Sequence, residues 1–344
     1  MQAPFLMKKL LLIFALAFIV NGTYGQNAEA LIQEGIAYHD NGEYAKAIGV
    51  YKKALKEDPA SPLIHYEIAL SYMYAGDYEK GIYHSDIVIK QNKQYQLGAY
   101  MTKGSCLDYM GRTRESIKLF EKGIKKFGDH YLLHYNLAYN YYGLKDYRKA
   151  EHSLLKAIQN NPGHSSSHLL LGILKAETHE RIPSMLSLYY FLLLEPVSER
   201  SVRAYSLLRN QMESSVRKEE TDSNRVNIHI NYNTKSEFAS VELMLSILEA
   251  SRSLEENRGK TDEELFIGNT KSFFLFFGDY KERKSNLWWD FYIPLFNEIA
   301  HSDYMEVFGY YISQSSNERA VEWLGSHEEQ ANRFFLWLNE VRKN

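Results

Sequence analysis

One cysteine, Cys106, stands in 344 residues, so no internal disulfide can form. Prolines number seven and glycines twenty, few enough that long regular elements should dominate. Beyond the N-terminal region no apolar run is long enough to span a bilayer; "FFLFF" at 273–277 stops after five residues. A basic stripe is also missing. Residues 26–225 carry 26 basic and 24 acidic residues, net +2, and residues 226–344 carry 12 and 19, net −7. That balance excludes nucleic acid as a partner, and the acidic half argues against anionic ones. The opposite signs allow a weak attraction between the halves. Catalytic signatures are absent: there is no G-x-S-x-G and no H-E-x-x-H. "RGKT" at 258–261 has Leu254 where a phosphate loop needs its first glycine. No catalytic residue and no cofactor is therefore assigned.

Apolar residues make up 45% of the chain, which is a globular composition. Tyrosine is unusually abundant, at 27 residues. Near the start, Lys8 and Lys9 precede an eleven-residue apolar run, Leu10 to Val20, and Thr23 and Gly25 are small. This is the pattern of a cleaved export signal over residues 1–25, with Met7 as its true start. The run is short for a membrane anchor. No cysteine follows it, so the chain is not expected to be a lipoprotein. The expected location is the periplasm, with secretion as the variant.

The central stretch repeats itself. "EGIAYHDNGEYAKAIGVYKKALKEDPAS" (34–61) aligns with "LAYNYYGLKDYRKAEHSLLKAIQNNPGH" (137–164) at an offset of 103 residues, close to three units of 34. Gly35 matches Ala138, Tyr38 matches Tyr141, Tyr44 matches Tyr147, Ala47 matches Ala150, Ala54 matches Ala157, and Pro59 matches Pro162. This resembles the tetratricopeptide repeat, a helix–turn–helix unit. Five copies fit: 28–61, 62–95, 97–130, 131–164 and 165–198. Repeat positions 8 and 20 are small throughout (Gly35/Ala47, Ala69/Gly81, Gly104/Ser116, Ala138/Ala150, Gly172/Ser184), so paired helices can cross closely. Gly42, Gly76 and Gly111 sit where the first helix should end, and Pro59, Pro162 and Pro196 where the second should. The fifth copy departs most, with Lys175 in place of a tyrosine and Pro183 just before its second helix. Residues 199–212 read as a capping helix. The fold class is all-α: a solenoid over 26–212, a polar linker over 213–225, and a helical domain over 226–344.

The resemblance implies a concave groove, lined by the first helix of each repeat, that holds a peptide or protein segment. Carried over by repeat position, it is lined by Tyr66, Met73, Tyr74, Met101, Tyr109, Tyr135, Tyr139 and Tyr142. The paired Lys and Asn that clamp a terminal carboxylate in part of the family are missing. Tyrosine and methionine suit apolar or adaptable partners instead. The competing reading is that several of these rings pack between repeats. Within 135–147 the five tyrosines divide by spacing. Tyr141 joins His134, Leu137 and Ala138 on a core stripe, Tyr147 opens the next helix, and Tyr135, Tyr139 and Tyr142 form a second stripe about 100° away.

Two histidine pairs, His130/His134 and His164/His168, have i,i+4 spacing. His65, His134 and His168 share repeat position 4, however, which makes packing the expected role and leaves metal unassigned. In the last third, "VNIHINYN" alternates as a short strand over 226–233. Phe238, Val241, Met244, Leu245 and Leu248 mark a helical face. Thr261–Glu264 and Ser326–Glu329 read as capping boxes. Trp288 and Trp289 diverge by about 100° on a helix and cannot enter one core from the same side.

The leading reading is a non-enzymatic, exported interaction or scaffold protein. The alternative is a small-molecule binder or enzyme whose site lies in "LWWDFYIPLFNE", with Asp290 and Glu298 as polar anchors and the repeats as support. A third is docking of the C-terminal domain in the groove.

Overall fold

The computed structural model describes residues 27–91, 94–214, 216–218, 226–228, 236–252, 254–278 and 285–342. The export signal expected over 1–25 lies outside them. The chain divides into two compact units, one ending at Asp146 and one beginning at Tyr147.

The first unit holds α1 (27–40), α2 (Tyr44–Glu57), α3 (Pro62–Tyr74), α4 (Tyr78–Gln91), α5 (Gln96–Tyr109), α6 (Thr113–Phe127) and α7 (Tyr131–Gly143). Successive helices pack on one another, and α5 also meets α3 and α7. The small-residue rule has a physical counterpart here. A methyl on Gly35 would lie 2.3 Å from the Tyr51 ring, and one on Gly104 would lie 2.2 Å from the Phe120 ring. The large side chain of the second helix thus fills the space that glycine leaves on the first. Ser116 adds something its size alone did not suggest: its Oγ donates to the Gly104 carbonyl at 2.7 Å.

Turns between paired helices need a left-handed residue. Gly42, Gly76 and Gly111 supply it with φ of 76°, 80° and 74°. At the same repeat position Lys145 carries φ 58° and, in the second unit, His179 carries φ 59°. Side chains pay for that conformation where glycine does not. Lys145→Gly is expected to stabilise the first unit by about 0.5–1 kcal/mol, read as a rise in the urea midpoint at unchanged slope.

The second unit begins with α8 (Tyr147–Asn160), α9 (Ser165–Glu177), α10 (Arg181–Leu194) and α11 (Glu199–Glu213). A short antiparallel pair follows, β1 (Val216–Lys218) with β2 (Val226–Ile228), Arg217 opposite Asn227. The strand expected from residue 226 therefore has its partner inside the stretch read as linker. Then come α12 (Ala239–Ser251), α13 (Asp262–Gly278), α14 (Ile293–His301), α15 (Met305–Ser313), α16 (Glu318–Ser326) and α17 (Glu328–Val341). The helices α2, α8 and α10 end two residues before Pro59, Pro162 and Pro196 respectively, as proline's clash with the preceding turn requires.

α10 explains why the fifth copy looks irregular. Every residue from Ile182 to Leu193 is buried. A helix apolar on all sides must be surrounded, and α10 touches α9, α11, α12, α15 and the turn before α14. Tyr189, at its centre, is ringed by Phe266, Phe273, Phe274, Phe296 and Phe308 at 4.9–6.5 Å. Its hydroxyl meets Thr270 Oγ1 at 2.9 Å, so the buried phenol is satisfied. The C-terminal helices and the last repeat helices share this core.

The Thr261 capping box forms in both directions: Glu264 N–H donates to Thr261 Oγ1 and Thr261 N–H to the Glu264 carboxylate. The Ser326 box does not form. Ser326 closes α16, its hydroxyl donating to the Trp323 carbonyl, and His327 takes the N-cap position of α17. A serine that ends one helix is not placed to cap the N–H groups that open the next.

Candidate protein-interaction surface

The first helices of the first unit carry exposed phenols in succession. Tyr74 on α3 is 56% exposed, Tyr109 on α5 58% and Tyr139 on α7 49%. Two of them lean on the preceding repeat. Tyr44, the first residue of α2, stacks on Tyr74 at 5.4 Å with planes 17° apart, and His39 meets both rings edge-on. Tyr78, the first residue of α4, packs on Tyr109 at 5.3 Å. Within the second unit Tyr147, the first residue of α8, donates to Glu177 at 2.8 Å from the same relative place. The ring that opens one repeat's second helix thus props the last residues of the next repeat's first helix. Spacing within one repeat could not disclose this contact, because it joins residues about thirty positions apart.

Tyr66 has a different setting. Its ring lies against the backbone of Gly98, where a methyl would come within 2.6 Å, and stacks on Tyr95 at 5.8 Å. Burial pushes its phenol pKa up. Met73, Tyr135 and Tyr142 are half-buried. Met101, also half-buried, packs on the cluster of Ile117, Phe120, Leu133 and Leu137, which Tyr141 also covers. Tyr141 donates to Glu121 at 3.2 Å, and burial with that carboxylate pushes its phenol up to about 12.

Tyr109, Tyr135 and Tyr139 come together around one cleft of about 220 Å³ between α5 and α7, with Ser105, Asp108 and Asn136 on its walls. Its floor includes Asn140, which the sequence did not single out. Asn140 is buried, and its Nδ2 donates at 2.6 Å to Ser116 Oγ, which donates onward to the Gly104 carbonyl. This relay ties α5, α6 and α7 together beneath the tyrosines and fixes the walls relative to each other.

The histidines are engaged in structure. His65 Nε2 meets the Pro59 carbonyl at 3.2 Å and its Nδ1 faces His84 Nδ1 at 2.9 Å. Burial lowers the His84 pKa to about 4. His168 repeats the arrangement, with Nε2 on the Pro162 carbonyl at 2.8 Å and Nδ1 on the Tyr292 hydroxyl at 2.6 Å. The i,i+4 pairs do not converge: His130 Nδ1 accepts the Leu132 N–H as an N-cap while His134 turns to Asp129 at 3.0 Å. Among the described residues no group of three or more His, Cys, Asp or Glu is placed to hold a metal ion. Cys106 lies buried against Gly81, and burial pushes its thiol up to about 12.

Trp288 and Trp289 are both buried and take different partners. Trp288 stacks on Tyr292 at 5.5 Å and lies 5.8 Å beneath Lys175 Nζ. Trp289 stacks on Phe238, and its Nε1 donates to Glu237 at 3.0 Å. Residues Trp288–Tyr292 form one π-helical turn. Asp290 and Glu298 are exposed at the rim of an open cleft of about 700 Å³, with Tyr190, Phe291 and Arg342. The tryptophans fill the core rather than line that cleft. Lys175, at the usual tyrosine position, is buried in the company of Glu151 and Glu180.

Three stretches match family models described as TPR repeat, over residues 35–76, and tetratricopeptide repeat, over residues 97–125 and 131–164. The chain therefore carries tetratricopeptide repeats over these stretches. Among solved structures it is similar to TTC0263, a thermophilic TPR protein in Thermus thermophilus. Identity is 19% over 53% of this chain and 99% of that one, with a TM-score of 0.48. MamA from Desulfovibrio magneticus RS-1 gives 18% identity over 49% and 95% of the two chains, TM-score 0.41. Pseudomonas aeruginosa pilF gives 16% over 56% and 91%, TM-score 0.46. A search of curated proteins found no match to the sequence. No helix among the described residues is long and apolar enough to cross a membrane.

Proposed function

We propose that this chain is an exported, non-enzymatic scaffold that holds a segment of a partner protein against the tyrosine-bearing first helices of its repeats. The observation that carries the reading is the row Tyr74, Tyr109 and Tyr139. These large rings stay half exposed on α3, α5 and α7 although each helix has a filled core face. Rings held by neighbours lose little freedom on binding, and a phenol offers both area and a polar tip. Tyr66, Met73, Met101, Tyr135 and Tyr142 flank that row and complete the proposed surface. Export to the periplasm rests on the pattern of residues 1–25 and is checked by the N-terminal sequence of the mature protein, expected to begin at Gln26.

Peptides selected from a random phage library on the purified mature chain test the surface. Tyr109→Ala with Tyr139→Ala should weaken them at least about tenfold, as for central aromatic contacts. Tyr83→Ala should leave binding unchanged, since Tyr83 is 63% exposed but lies on α4, a second helix. Equal losses in both variants, or none in the double variant, would remove the reading.

A further inference from the structure

The cleft between α5 and α7 has a chemistry more specific than that of an aromatic surface. Its walls hold the phenols of Tyr109, Tyr135 and Tyr139, the carboxylate of Asp108, and no lysine or arginine. Thr113 Oγ1 donates to one Asp108 oxygen at 2.7 Å. The other oxygen has no hydrogen bond among the described residues. Lys103 pairs with Asp86 at 2.6 Å and Arg112 with Glu115 at 2.8 Å. A carboxylate in a cleft lined by three tyrosines, with no lysine or arginine among the lining residues, is the complement of a cation. At about 220 Å³ the cleft has room for one long side chain and is small for a drug-sized ligand.

Resting on the reading above, we propose that this cleft is a specificity pocket for an arginine side chain of the bound protein segment. A planar guanidinium lies flat on a phenol while its fork of N–H groups donates to a carboxylate. An ammonium offers a point charge without the plane, so arginine is preferred to lysine. Burial, and after it the neighbouring phenols of Tyr139, Tyr74 and Tyr78 and the Asp108 carboxylate, raise the Tyr109 phenol pKa. The relay through Asn140, Ser116 and Gly104 keeps the pocket formed before anything binds.

The test uses the library-selected peptides on the full mature chain. Selected sequences should be enriched in arginine over the input library. Replacing that arginine by citrulline, which keeps its shape and removes its charge, should weaken binding to the natural chain about tenfold or more. Against Asp108→Asn, which retains an acceptor for Thr113, the same replacement should cost about twofold or less. Tyr139→Leu, at an exposed position, should likewise shrink the citrulline penalty. Peptides that require Tyr109 and Tyr139 but show no arginine enrichment would overturn the pocket and leave the scaffold reading standing. An equal citrulline penalty in the natural chain and in Asp108→Asn would do the same. Failure to select any peptide would overturn both.

Discussion

Gly104→Ala is expected to lower the stability of the first unit by about 3 kcal/mol, near the upper end for one added methyl in a packed core. The new Cβ would sit 2.2 Å from Phe120 Cζ and 2.4 Å from Cε1. Phe120 is 1% exposed and belongs to a cluster with Ile117, Leu133 and Leu137, so its ring has no open space to retreat into. Separation of α5 from α6 would also lengthen the Ser116 bond to the Gly104 carbonyl and unsettle Asn140 above it. The repeats themselves suggest the remedy, because the fourth copy carries Ala138 and Leu154 at the corresponding positions. Gly104→Ala with Phe120→Leu should therefore cost at least about 1 kcal/mol less than the sum of the two single changes. Gly49→Ala is the contrast. Gly49 lies in α2 with nothing within 4 Å of its prospective methyl, and there alanine should stabilise by about 0.5–1 kcal/mol through helix propensity. Urea unfolding followed by far-UV circular dichroism separates these outcomes. All four tryptophans lie beyond residue 287, so their fluorescence reports the second unit alone. Additive losses in the double variant would refute the proposed steric cause.

The repeat was legible because its constraints are local. Small residues 12 positions apart, a glycine after the first helix and a proline after the second each answer a need inside one helical pair, and each recurs. Contacts between repeats were not legible. Tyr44 on Tyr74, Tyr66 on Gly98 and Asn140 on Ser116 join residues 24 to 32 positions apart, and no spacing within a helix announces them. The one available signal was the return of tyrosine at the start of α2, α4 and α8, which points to a shared neighbour. In the second unit the departure of the fifth copy was legible, but its cause was not. α10 departs from the repeat pattern because it is apolar all round, and it is so because helices from the last third of the chain enclose it. Lys175 follows the same logic. A lysine at a core position persists because Glu151 and Glu180 meet its charge, and neither carboxylate lies on its helix. In the candidate site repeat position alone puts Asp108 on the groove face beside the phenols, whereas its sharing one cleft with Tyr135 and Tyr139 depended on knowing which helix faces meet.

His168 should make the second unit acid-sensitive at a pH where carboxylates alone would not. Its imidazole is buried among Tyr190, Phe291 and Tyr292. The Pro162 carbonyl accepts from Nε2, so Nδ1 is the bare nitrogen that accepts the Tyr292 hydroxyl. Protonation would put a second charge-bearing N–H into that apolar setting, and burial lowers the folded-state pKa to about 3 from 6.5. With the folded pKa below the unfolded one, the stabilising contribution is complete above about pH 6.5. It is lost progressively as the pH falls toward 3, by up to about 1.4 kcal/mol per pH unit. Between about pH 7.5 and about pH 5 the loss should come to roughly 2 kcal/mol. Glu249 and Glu242, whose pKa values burial raises, act in the opposite sense, so the measurement has to be a difference between chains. His168→Leu should be less stable than the natural chain at the higher pH, because the Tyr292 hydroxyl and the Pro162 carbonyl lose their partner. At the lower pH the gap should close by roughly 2 kcal/mol, since leucine has no proton to take up. Tryptophan fluorescence in urea reads this directly, as Trp288 stacks on Tyr292. A gap of the same size at both pH values would mean that His168 is protonated as easily in the fold as outside it. His84 should impose the same sign on the first unit between about pH 6.5 and its lowered value of about 4, so circular dichroism and fluorescence should both register destabilisation on acidification.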